Sequence, residues 1–517
     1  SYKEQSQVVN EYMNLLWKKN EEEKRKWNVT PRNFVGPSSF TLQMRNIMKE
    51  NDDSNVPNIR SGFTVTDKAD GDRKLLFIAK TGKIYLVDTN MRVQFTGAIT
   101  TKNSLASTLI DGEHIRNNKK GSQINLYAAF DIYYLNGKDV RSNPFYKTEE
   151  IEEGKSPKVY RFDLLSETIG DIQPAAFVET EAAAPMQITC KNFVVPEKGK
   201  KIFSACEKIL KNVKDNMFEY NTDGLIFTPS ALGVGANEPN KSADKPLKTT
   251  WKHSFKWKPA EYNTIDFLVK LEKQSDGQDF IGNIFKSGTD TTKNVQLDQY
   301  KRAILCVGYD KKKHGYMNPC QAVLDGQVPD QGDRDDVDGY NAARFYPSNP
   351  YNAEAGICNL MLSDGKTGNK VILTDNGEVV EDNMVVEFSY DESKDAGWKW
   401  TPLRVRYDKT ADLKGGGRFG NAYHVANSNW HSINNPITTE IISTGKNIPK
   451  SMDNDEVYYD RVKRVTGTMA LRNFHNWLKS FLISKVASPD GTLIDLAVGK
   501  GGDIPKWIAA KLGFVFG

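Results

Sequence analysis

The sequence predicts an α+β protein of several domains, and three observations carry that prediction. Between residues 61 and 260, short β-branched runs alternate with turn signals around one helical stretch, which is typical of antiparallel sheets with added helices. From 263 to 409, further short strands surround a long polar insert, which favours a small barrel. After residue 456 a helical repeat is followed by strand, glycine turn, helix and strand, which indicates the start of a Rossmann-like α/β unit.

Length and composition support a soluble chain with more than one core. The 517 residues exceed what one hydrophobic core organises. No apolar run approaches the roughly 18 residues that span a bilayer, and the first residues lack the pattern of a secretory signal, so we expect a cytosolic protein. The five cysteines show no spacing typical of disulfide frameworks or structural zinc. A net charge of +4 does not indicate a nucleic-acid-binding chain as a whole, so any such surface must be local.

The same patterns give the predicted boundaries. Residues 1–60 form a helical lead-in without a recognisable site, 61–262 the first sheet domain, and 263–409 the barrel. Its insert at 308–357 is predicted to be a solvated loop, because its carboxylates lack the spacing of an EF-hand. Residues 410–455, with their run of glycines, predict an extended linker. Residues 456–517 are too few to close a doubly wound sheet, so we expect this sequence to be part of a longer protein.

The segment TVTDKADGDRKLLF places Lys68 between two strand-forming runs, followed by Asp70 and Gly71. By itself this pattern fits a turn or hairpin tip as well as a nucleophile. Five further segments follow it in order, each carrying acidic, aromatic or basic residues: LIDGEHI (109–115), AAFDIYYL (128–135), TDGLIFTP (222–229), SFKWKP (254–259) and RVRYDK (404–409).

In this order the segments resemble the collinear motifs of the lysine-dependent nucleotidyltransferases, which comprise mRNA guanylyltransferases and ATP-dependent ligases. The last segment resembles the RxDK signature that ends the OB-fold domain of capping enzymes. The resemblance implies a nucleotidyltransferase domain over 61–262 and an OB-fold domain over 263–409. It also implies that Lys68 is the nucleophile.

The chemistry of such an enzyme explains the residue types. An amine attacks a phosphate only when it is neutral, so lysine's ordinary pKa of about 10.4 must fall, and neighbouring cations lower it. Lys256 and Lys258 alternate along one strand and so face the same side, with Trp257 on the other. The resemblance implies that both lysines contact the α-phosphate and help to expel pyrophosphate. A solvated strand face is the alternative.

The resemblance implies roles for the remaining positions. Arg73 matches the arginine that contacts the ribose, and Phe130 and Ile226 match the pair around the guanine, although simple core packing is the alternative for Phe130. Asp223 and Glu113 are predicted to meet Mg²⁺ or Mn²⁺, since hard cations take carboxylates, and Glu113 also lies near the ribose in the family. Asp111 and Asp131 are predicted to be structural. The closing signature contributes the catalytic candidates Arg406, Asp408 and Lys409.

Near the end of the sequence, LRNFHNWLKS and LIDLAVGKGGD (493–503) resemble the helix and the S-adenosylmethionine loop of mRNA cap guanine-N7 methyltransferases. The resemblance implies a cap contact at Asn476 and S-adenosylmethionine contacts at Lys479, Asp495, Gly499 and Lys500. An exposed polar helix face is the alternative for Asn476 and Lys479.

Together these parts resemble the multifunctional mRNA-capping enzymes of large cytoplasmic DNA viruses, of the asfarvirus or giant-virus type and similar to those of poxviruses. The resemblance implies GTP as substrate, transfer of GMP to 5′-diphosphate RNA, and a cytoplasmic viral factory or virion as the location. It implies as partners 5′-diphosphate or triphosphate RNA, and either a methyltransferase-stimulating subunit or the viral transcription machinery.

One part of that family pattern is missing, and two other functions stay open. Residues 1–60 lack the paired ExE strands of a metal-dependent RNA triphosphatase, so we expect that activity to lie outside this sequence. An ATP-dependent polynucleotide ligase and a catalytically silent RNA-binding scaffold are the alternative functions.

Overall fold

A computed structural model gives the fold of the chain, and it describes the following residues: 2–17, 28–49, 56–147, 159–178, 185–197, 199–243, 249–285, 297–310, 341–348, 350–365, 368–414, 420–449, 469–496, 498 and 501–517. The chain divides into two compact units. The first is Ser1–Thr264 with Ser428–Lys450, and the second is Ile265–Asn427 with Ser451–Gly517.

Two sheets form the first unit. A four-stranded sheet has the order Ser38–Thr41, Thr250–Trp257, Thr222–Pro229, Phe63–Ala69. An eight-stranded sheet has the order Gln187–Cys190, Gln123–Leu135, Thr108–Asn117, Asp72–Ile78, Lys83–Asp88, Val93–Ile99, Ala175–Ala176, with Lys138–Asp139 beside Gln123–Leu135. Neighbouring strands are mostly antiparallel, but Ser38–Thr41 runs parallel to Thr250–Trp257 and Gln187–Cys190 runs parallel to Gln123–Leu135.

Helices cover these sheets with their apolar faces. Tyr2–Leu16 packs on one face of the eight-stranded sheet through residues such as Tyr12 and Met13, and Arg161–Ile172 packs on the other through Leu165 and Ile172. Ile202–Lys214 and Thr439–Thr444 cover the four-stranded sheet. Short 3-10 helices lie at Pro31–Asn33, Met44–Asn46, Asn103–Leu105 and Ala260–Tyr262.

The second unit is built on a nine-stranded, barrel-like sheet, which fits the predicted OB fold. Its strand order is Val379–Val380, Lys370–Leu373, Ile357–Asp364, Leu297–Tyr309, Thr264–Leu271, Val385–Tyr390, Trp400–Val405. Ile281–Phe285 and Asn341–Arg344 also pair with the long strand Leu297–Tyr309. Helix Tyr407–Lys414 follows the last strand directly, and helix Tyr423–Asn434 comes after it in the chain.

The last described residues contain a parallel strand pair with a helix between the strands. Helix Met469–Val486 leads into strand Thr492–Ile494, helix Ile504–Ala509 and strand Phe514–Phe516, and the two strands pair in parallel. This is the order that the sequence predicts for the start of a Rossmann-like unit. None of the described helices is long and apolar enough to cross a membrane.

The structure departs from the predicted organisation at two places. Residues 423–434 and 439–444, inside the predicted extended linker, are helical, and Ile437 and Ile442 are buried in the core of the first unit. Within the predicted lead-in, strand Ser38–Thr41 belongs to the four-stranded sheet. Ile437 and Ile442 add apolar side chains to the core of the first unit. Strand Ser38–Thr41 adds backbone pairing to its four-stranded sheet. Most of the predicted insert, residues 311–340 and 349, lies outside the described residues.

Candidate active site

Lys68 lies where the chain passes from one sheet to the other. Strand Phe63–Ala69 belongs to the four-stranded sheet, whereas the next strand, Asp72–Ile78, belongs to the eight-stranded sheet. Only Asp70 and Gly71 separate the two strands, and the strands do not pair with each other. The segment is therefore not the tip of a hairpin, and the half-buried Lys68 points into the space where the two sheets meet.

Asp223 sits opposite Lys68 because the strand that carries it is irregular there. The pairing between Thr222–Pro229 and Phe63–Ala69 shifts between Thr222 and Leu225. Gly224 makes this shift possible, since a Cβ atom on it would lie 1.9 Å from the carbonyl oxygen of Trp257. Asp223 Oδ1 accepts a hydrogen bond from Lys68 Nζ at 2.6 Å, and its Oδ2 lies 2.9 Å from Lys258 Nζ. One carboxylate thus joins two of the predicted catalytic lysines.

Electrostatics favours the charged form of that carboxylate. Burial by itself raises the pKa of Asp223, but the charges and hydrogen bonds of Lys68 and Lys258 outweigh it, so the pKa lies below its ordinary value. For Lys256, burial and the neighbouring positive charges act on the pKa in the same direction. Burial, reinforced by the positive charges of Lys68 and Lys258, lowers its pKa.

The predicted alternation along strand Thr250–Trp257 is present in the structure. Trp257 is buried on the core side, where its Nε1 donates to the carbonyl oxygen of Ile437 at 2.7 Å. Lys256 and Lys258 lie on the side of Lys68, as the electrostatic coupling and the ion pair with Asp223 require. Lys68 and Lys258 therefore pair with one carboxylate, and Lys256 lies within electrostatic range of all three groups, so positive charge is concentrated here.

Arg73 is held from several directions beside this cluster. Its Nε and Nη2 donate to the two oxygens of Asp111, at 3.1 and 2.5 Å, and its Nη1 donates to the carbonyl oxygen of Pro37 at 2.8 Å. Asp111 is fully buried and also accepts from the hydroxyl of Tyr133 at 2.5 Å. Asp111, which the sequence predicts to be structural, is thus the residue that orients Arg73.

Glu113 pairs in register with Arg73 across neighbouring strands. Its Oε2 is buried and has no hydrogen-bond partner among the described residues. Burial raises the pKa of Glu113 to about 7, although the charges of Lys191, Arg73 and Lys68 oppose that shift. A buried carboxylate oxygen without a hydrogen-bond partner costs free energy, so this atom is a candidate contact for a ligand.

Lys68, Arg73 and Glu113 line one pocket of about 770 Å³, part of which is continuous with solvent, and Asp223 lies beside it through its contact with Lys68. Phe130 and Ile226, the predicted base contacts, both line it, and Phe130 also lies 5.7 Å from the Arg73 guanidinium. Asp131, whose side chain is largely buried, is held by two hydrogen bonds from Arg161, which agrees with its predicted structural role.

Lys191 is a pocket residue that the sequence gives no signal for. Its side chain is buried, and its Nζ lies 3.0 Å from Asp67 Oδ2 and donates to the carbonyl oxygen of Asp67 at 2.5 Å. Asp67 precedes Lys68 directly and also accepts from the Tyr220 hydroxyl at 3.0 Å. No motif surrounds Lys191, and its partner lies 124 residues away in the chain, so only the fold identifies it.

In the second unit, the residues of the RxDK signature gather at the junction of strand Trp400–Val405 and helix Tyr407–Lys414. Asp266, which sequence reasoning missed, accepts from Arg406 Nη1 at 2.9 Å and from Lys409 Nζ. Arg406 also makes two hydrogen bonds to Asp408, and these lower the pKa of Asp408 against the opposing effect of burial. The three predicted residues therefore form one ion-pair network around Asp266.

Of the predicted methyltransferase residues, the structure describes three. Lys479 Nζ donates to Asp503 Oδ2 at 2.8 Å, and hydrogen bonds from Lys479 and then Lys506 lower the pKa of Asp503. Asn476 is exposed. Asp495 follows the strand Thr492–Ile494, and its N–H donates to the carbonyl oxygen of Phe516. Gly499 and Lys500 lie outside the described residues.

Carboxylates are the candidate metal ligands, but they are few. Among the described residues, no group of three or more histidine, cysteine, aspartate or glutamate side chains is arranged to hold a metal ion. Asp223 and the unpartnered oxygen of Glu113 fit a hard divalent cation, provided that phosphate oxygens or water complete its coordination.

Comparison with known families assigns two stretches of the chain. Residues 30–260 match the family described as "mRNA capping enzyme, catalytic domain", and residues 452–517 match the "mRNA (guanine-N(7))-methyltransferase domain". The first stretch contains every residue of the pocket described above.

Two viral relatives are similar over most of the chain. The probable mRNA-capping enzyme of Acanthamoeba polyphaga mimivirus is 27% identical over 99% of this chain and 42% of its own length. The mRNA-capping enzyme of African swine fever virus, strain Badajoz 1971 Vero-adapted, is 25% identical over 88% of this chain and 42% of its own length. The chain thus spans about two fifths of the relatives that it matches. These findings confirm the resemblance predicted from the ordered motifs.

Solved structures give a weaker likeness. Mycobacterial DNA ligase D, complexed with ATP and MES, is 13% identical, with a TM-score of 0.31 over 72% of this chain and 96% of that one. A TM-score of this size does not establish a shared fold. Residues 30–260 are thus similar to the catalytic domain of mRNA capping enzymes, residues 452–517 are similar to an mRNA guanine-N7 methyltransferase domain, and the chain as a whole is similar to viral mRNA-capping enzymes.

Proposed function

We propose that the first unit is an mRNA guanylyltransferase in which Lys68 forms a covalent intermediate with GMP. The observation that carries the proposal is the pairing of Lys68 and Lys258 with Asp223, with Lys256 in electrostatic range, next to a pocket that Lys68, Arg73 and Phe130 line. Three cations at one end of a partly apolar pocket fit a nucleoside triphosphate, with phosphates at the lysines and base at the aromatic side.

In the first step, the neutral amine of Lys68 attacks the α-phosphorus of GTP. A nitrogen–phosphorus bond forms, the bond to the β-phosphate oxygen breaks, and pyrophosphate leaves with the electron pair. Before the attack, Lys68 must leave its contact with Asp223 and give up a proton. Lys256 and Lys258 then neutralise negative charge on the phosphate oxygens, which favours departure of pyrophosphate.

Carboxylates beside the lysines fit a divalent cation, Mg²⁺ or Mn²⁺. Asp223 and the unpartnered Oε2 of Glu113 would hold it. When bound, such an ion neutralises charge on the phosphate oxygens. Arg73, held by Asp111, is placed for a hydrogen bond to the ribose.

Lys191 supports guanine over adenine as the base. Two of its three N–H groups are taken by Asp67, and the side chain lines the pocket together with Phe130 and Ile226. The remaining N–H finds an acceptor in the carbonyl oxygen of guanine, whereas adenine presents an amino group, another donor, at the same position. This difference favours the capping reaction over the ligase alternative.

In the second step, an oxygen of the terminal phosphate of 5′-diphosphate RNA attacks the bound GMP phosphorus. The nitrogen–phosphorus bond breaks, Lys68 regains a proton, and the capped RNA leaves. We infer that Arg406, Asp408 and Lys409 meet the pyrophosphate of the first step when the OB domain closes.

We further infer that residues 452–517 contribute S-adenosylmethionine and cap contacts to a guanine-N7 methyltransferase in the whole protein. The methyltransferase candidates are Asn476, Lys479, Asp495, Gly499 and Lys500. We also infer that the whole protein works in a cytoplasmic viral factory or the virion, and the similarity to two viral relatives supports this. A stimulating subunit or the viral transcription machinery is its expected partner.

Labelling with radioactive GTP or ATP in the presence of Mg²⁺ or Mn²⁺ tests the proposal. We expect an acid-stable protein–GMP adduct, much more label from GTP than from ATP, and no label in Lys68→Ala. Lys252→Ala is the matched control, because Lys252 lies exposed on the same strand as Lys256 and should label normally. Preference for ATP would support the ligase, and RNA retention without label would support the silent scaffold.

A further inference from the structure

The helix Tyr2–Leu16 precedes the stretch that matches the capping-enzyme family, yet it reaches the backbone beside the nucleotide pocket. Its Tyr12 is fully buried, and the hydroxyl makes two hydrogen bonds to one short stretch of chain. It donates to the carbonyl oxygen of Asn33 at 2.8 Å and accepts from the amide of Val35 at 3.1 Å. We call residues 33–37 the wall segment, since Pro37 lines the pocket.

The wall segment touches Arg73 at three points. The ring centroid of Phe34 lies 5.7 Å from the guanidinium carbon, the same distance as that of Phe130. The carbonyl oxygen of Pro37 accepts from Arg73 Nη1 at 2.8 Å. Gly36 passes so close that a Cβ atom on it would lie 2.7 Å from Arg73 Nη2. A shift of the wall segment therefore moves the arginine or removes its contacts.

We propose that Tyr12 is a positioning residue for nucleotide binding, which acts through the wall segment on Arg73. The inference rests on the proposed guanylyltransferase function, because Arg73 is the ribose contact in that reaction. Tyr12 does not touch the pocket. Its hydroxyl satisfies one buried acceptor and one buried donor of the wall segment and so keeps that backbone in one place.

The same helix offers a matched control. Glu4 accepts hydrogen bonds from the Tyr85 hydroxyl at 3.0 Å and from Lys83 at 2.6 Å, and these contacts attach the helix to the sheet away from the wall segment. Tyr85→Phe and Tyr12→Phe thus each remove one tyrosine hydroxyl that forms hydrogen bonds across a contact of helix Tyr2–Leu16. Only Tyr12→Phe disturbs residues 33–37.

The test measures formation of the protein–GMP adduct over a range of GTP concentrations. For Tyr12→Phe we expect KM for GTP to rise about five- to tenfold, because both hydrogen bonds that hold the wall segment are lost, with a maximal rate close to that of the unchanged protein. Tyr85→Phe should leave KM and the maximal rate unchanged. It should lower the melting temperature of the protein about as much as Tyr12→Phe does. Hydrogen exchange of the Val35 amide should speed up in Tyr12→Phe alone.

Three results decide between the possibilities. An unchanged KM in Tyr12→Phe, in a protein that does form the adduct, overturns the inference. Absence of any adduct in the unchanged protein instead overturns the proposed function, and the exchange of the Val35 amide then still decides whether Tyr12 holds the wall segment. If Tyr12→Phe does not fold, Phe34→Leu, which withdraws the ring from Arg73 but stays apolar, should show the same rise in KM.

Discussion

Replacing Asp111 with asparagine tests whether a buried carboxylate orients Arg73, the proposed ribose contact. Asp111 has no solvent exposure and accepts three hydrogen bonds, two from Arg73 and one from Tyr133. The asparagine side chain is uncharged and keeps one acceptor oxygen. Its amide group then faces a donor, and the guanidinium of Arg73 loses its counter-charge.

The structure sets the size of the effect. Breaking a fully buried ion pair by removing one partner costs about 3–5 kcal/mol. The side chain of Arg73 is 22% exposed and keeps its hydrogen bond to Pro37, so we reduce the expected loss of unfolding free energy to about 2–3 kcal/mol. Because Arg73 is no longer held, KM for GTP should also rise at least about tenfold.

Urea denaturation of the protein and GMP labelling measure the two effects. Asp171→Asn is the control, since Asp171 forms an exposed ion pair with Lys102 at 2.5 Å, and its loss should cost about 0.5 kcal/mol or less. If Asp111→Asn loses less than about 1 kcal/mol and binds GTP normally, then the pair with Arg73 is not the contact that organises the pocket.

Two further predictions concern the charge state of Glu113 and the network around Asp266. Since burial raises the pKa of Glu113 from 4.5 to about 7, the carboxylate form is present only above that pH, and adduct formation should rise as the pH passes through about 7. Glu113→Gln should remove this inflection, so identical profiles for the two proteins would contradict the assignment. Asp266→Asn should slow single-turnover adduct formation about tenfold without changing GTP affinity, because Arg406 and Lys409 lose their shared partner. Glu392→Gln, which weakens the ion pair of the exposed Glu392 with Lys399 at 2.7 Å, should react normally, and equal rates for the two variants would show that Asp266 does not position the signature.

The chemistry of the first unit was readable from local patterns. The strand alternation that puts Lys256 and Trp257 on opposite sides depends only on the two-residue repeat of a strand, and the structure has it. The ordered motifs around Lys68 named the reaction class, since each motif is a short run whose residue types the chemistry requires. The position of Lys68 was not readable. A turn and a change of sheet have the same sequence signature, and only the pairing of strands distinguishes them.

The organisation along the chain was less accessible. The polar composition of residues 410–455 predicted an extended linker, but Ile437 and Ile442 are buried in the core of the first unit. The isoleucines of this stretch stand among polar residues that keep its average hydrophobicity low, so the burial of Ile437 and Ile442 is decided by the apolar surface that they meet.

The sequence by itself therefore predicts the reaction class, the lysine nucleophile and most of the proposed nucleotide contacts, because these are carried by short motifs in a defined order. The tertiary structure decided which acidic side chain pairs with which basic side chain. Asp223 meets Lys68 across 155 residues, Asp266 meets Arg406 across 140, and Lys191 meets Asp67 across 124. Such pairs are set by strand register and packing between distant segments, and no local pattern encodes them. For the same reason only the fold reveals that Tyr12, far from any motif, supports the wall of the nucleotide pocket.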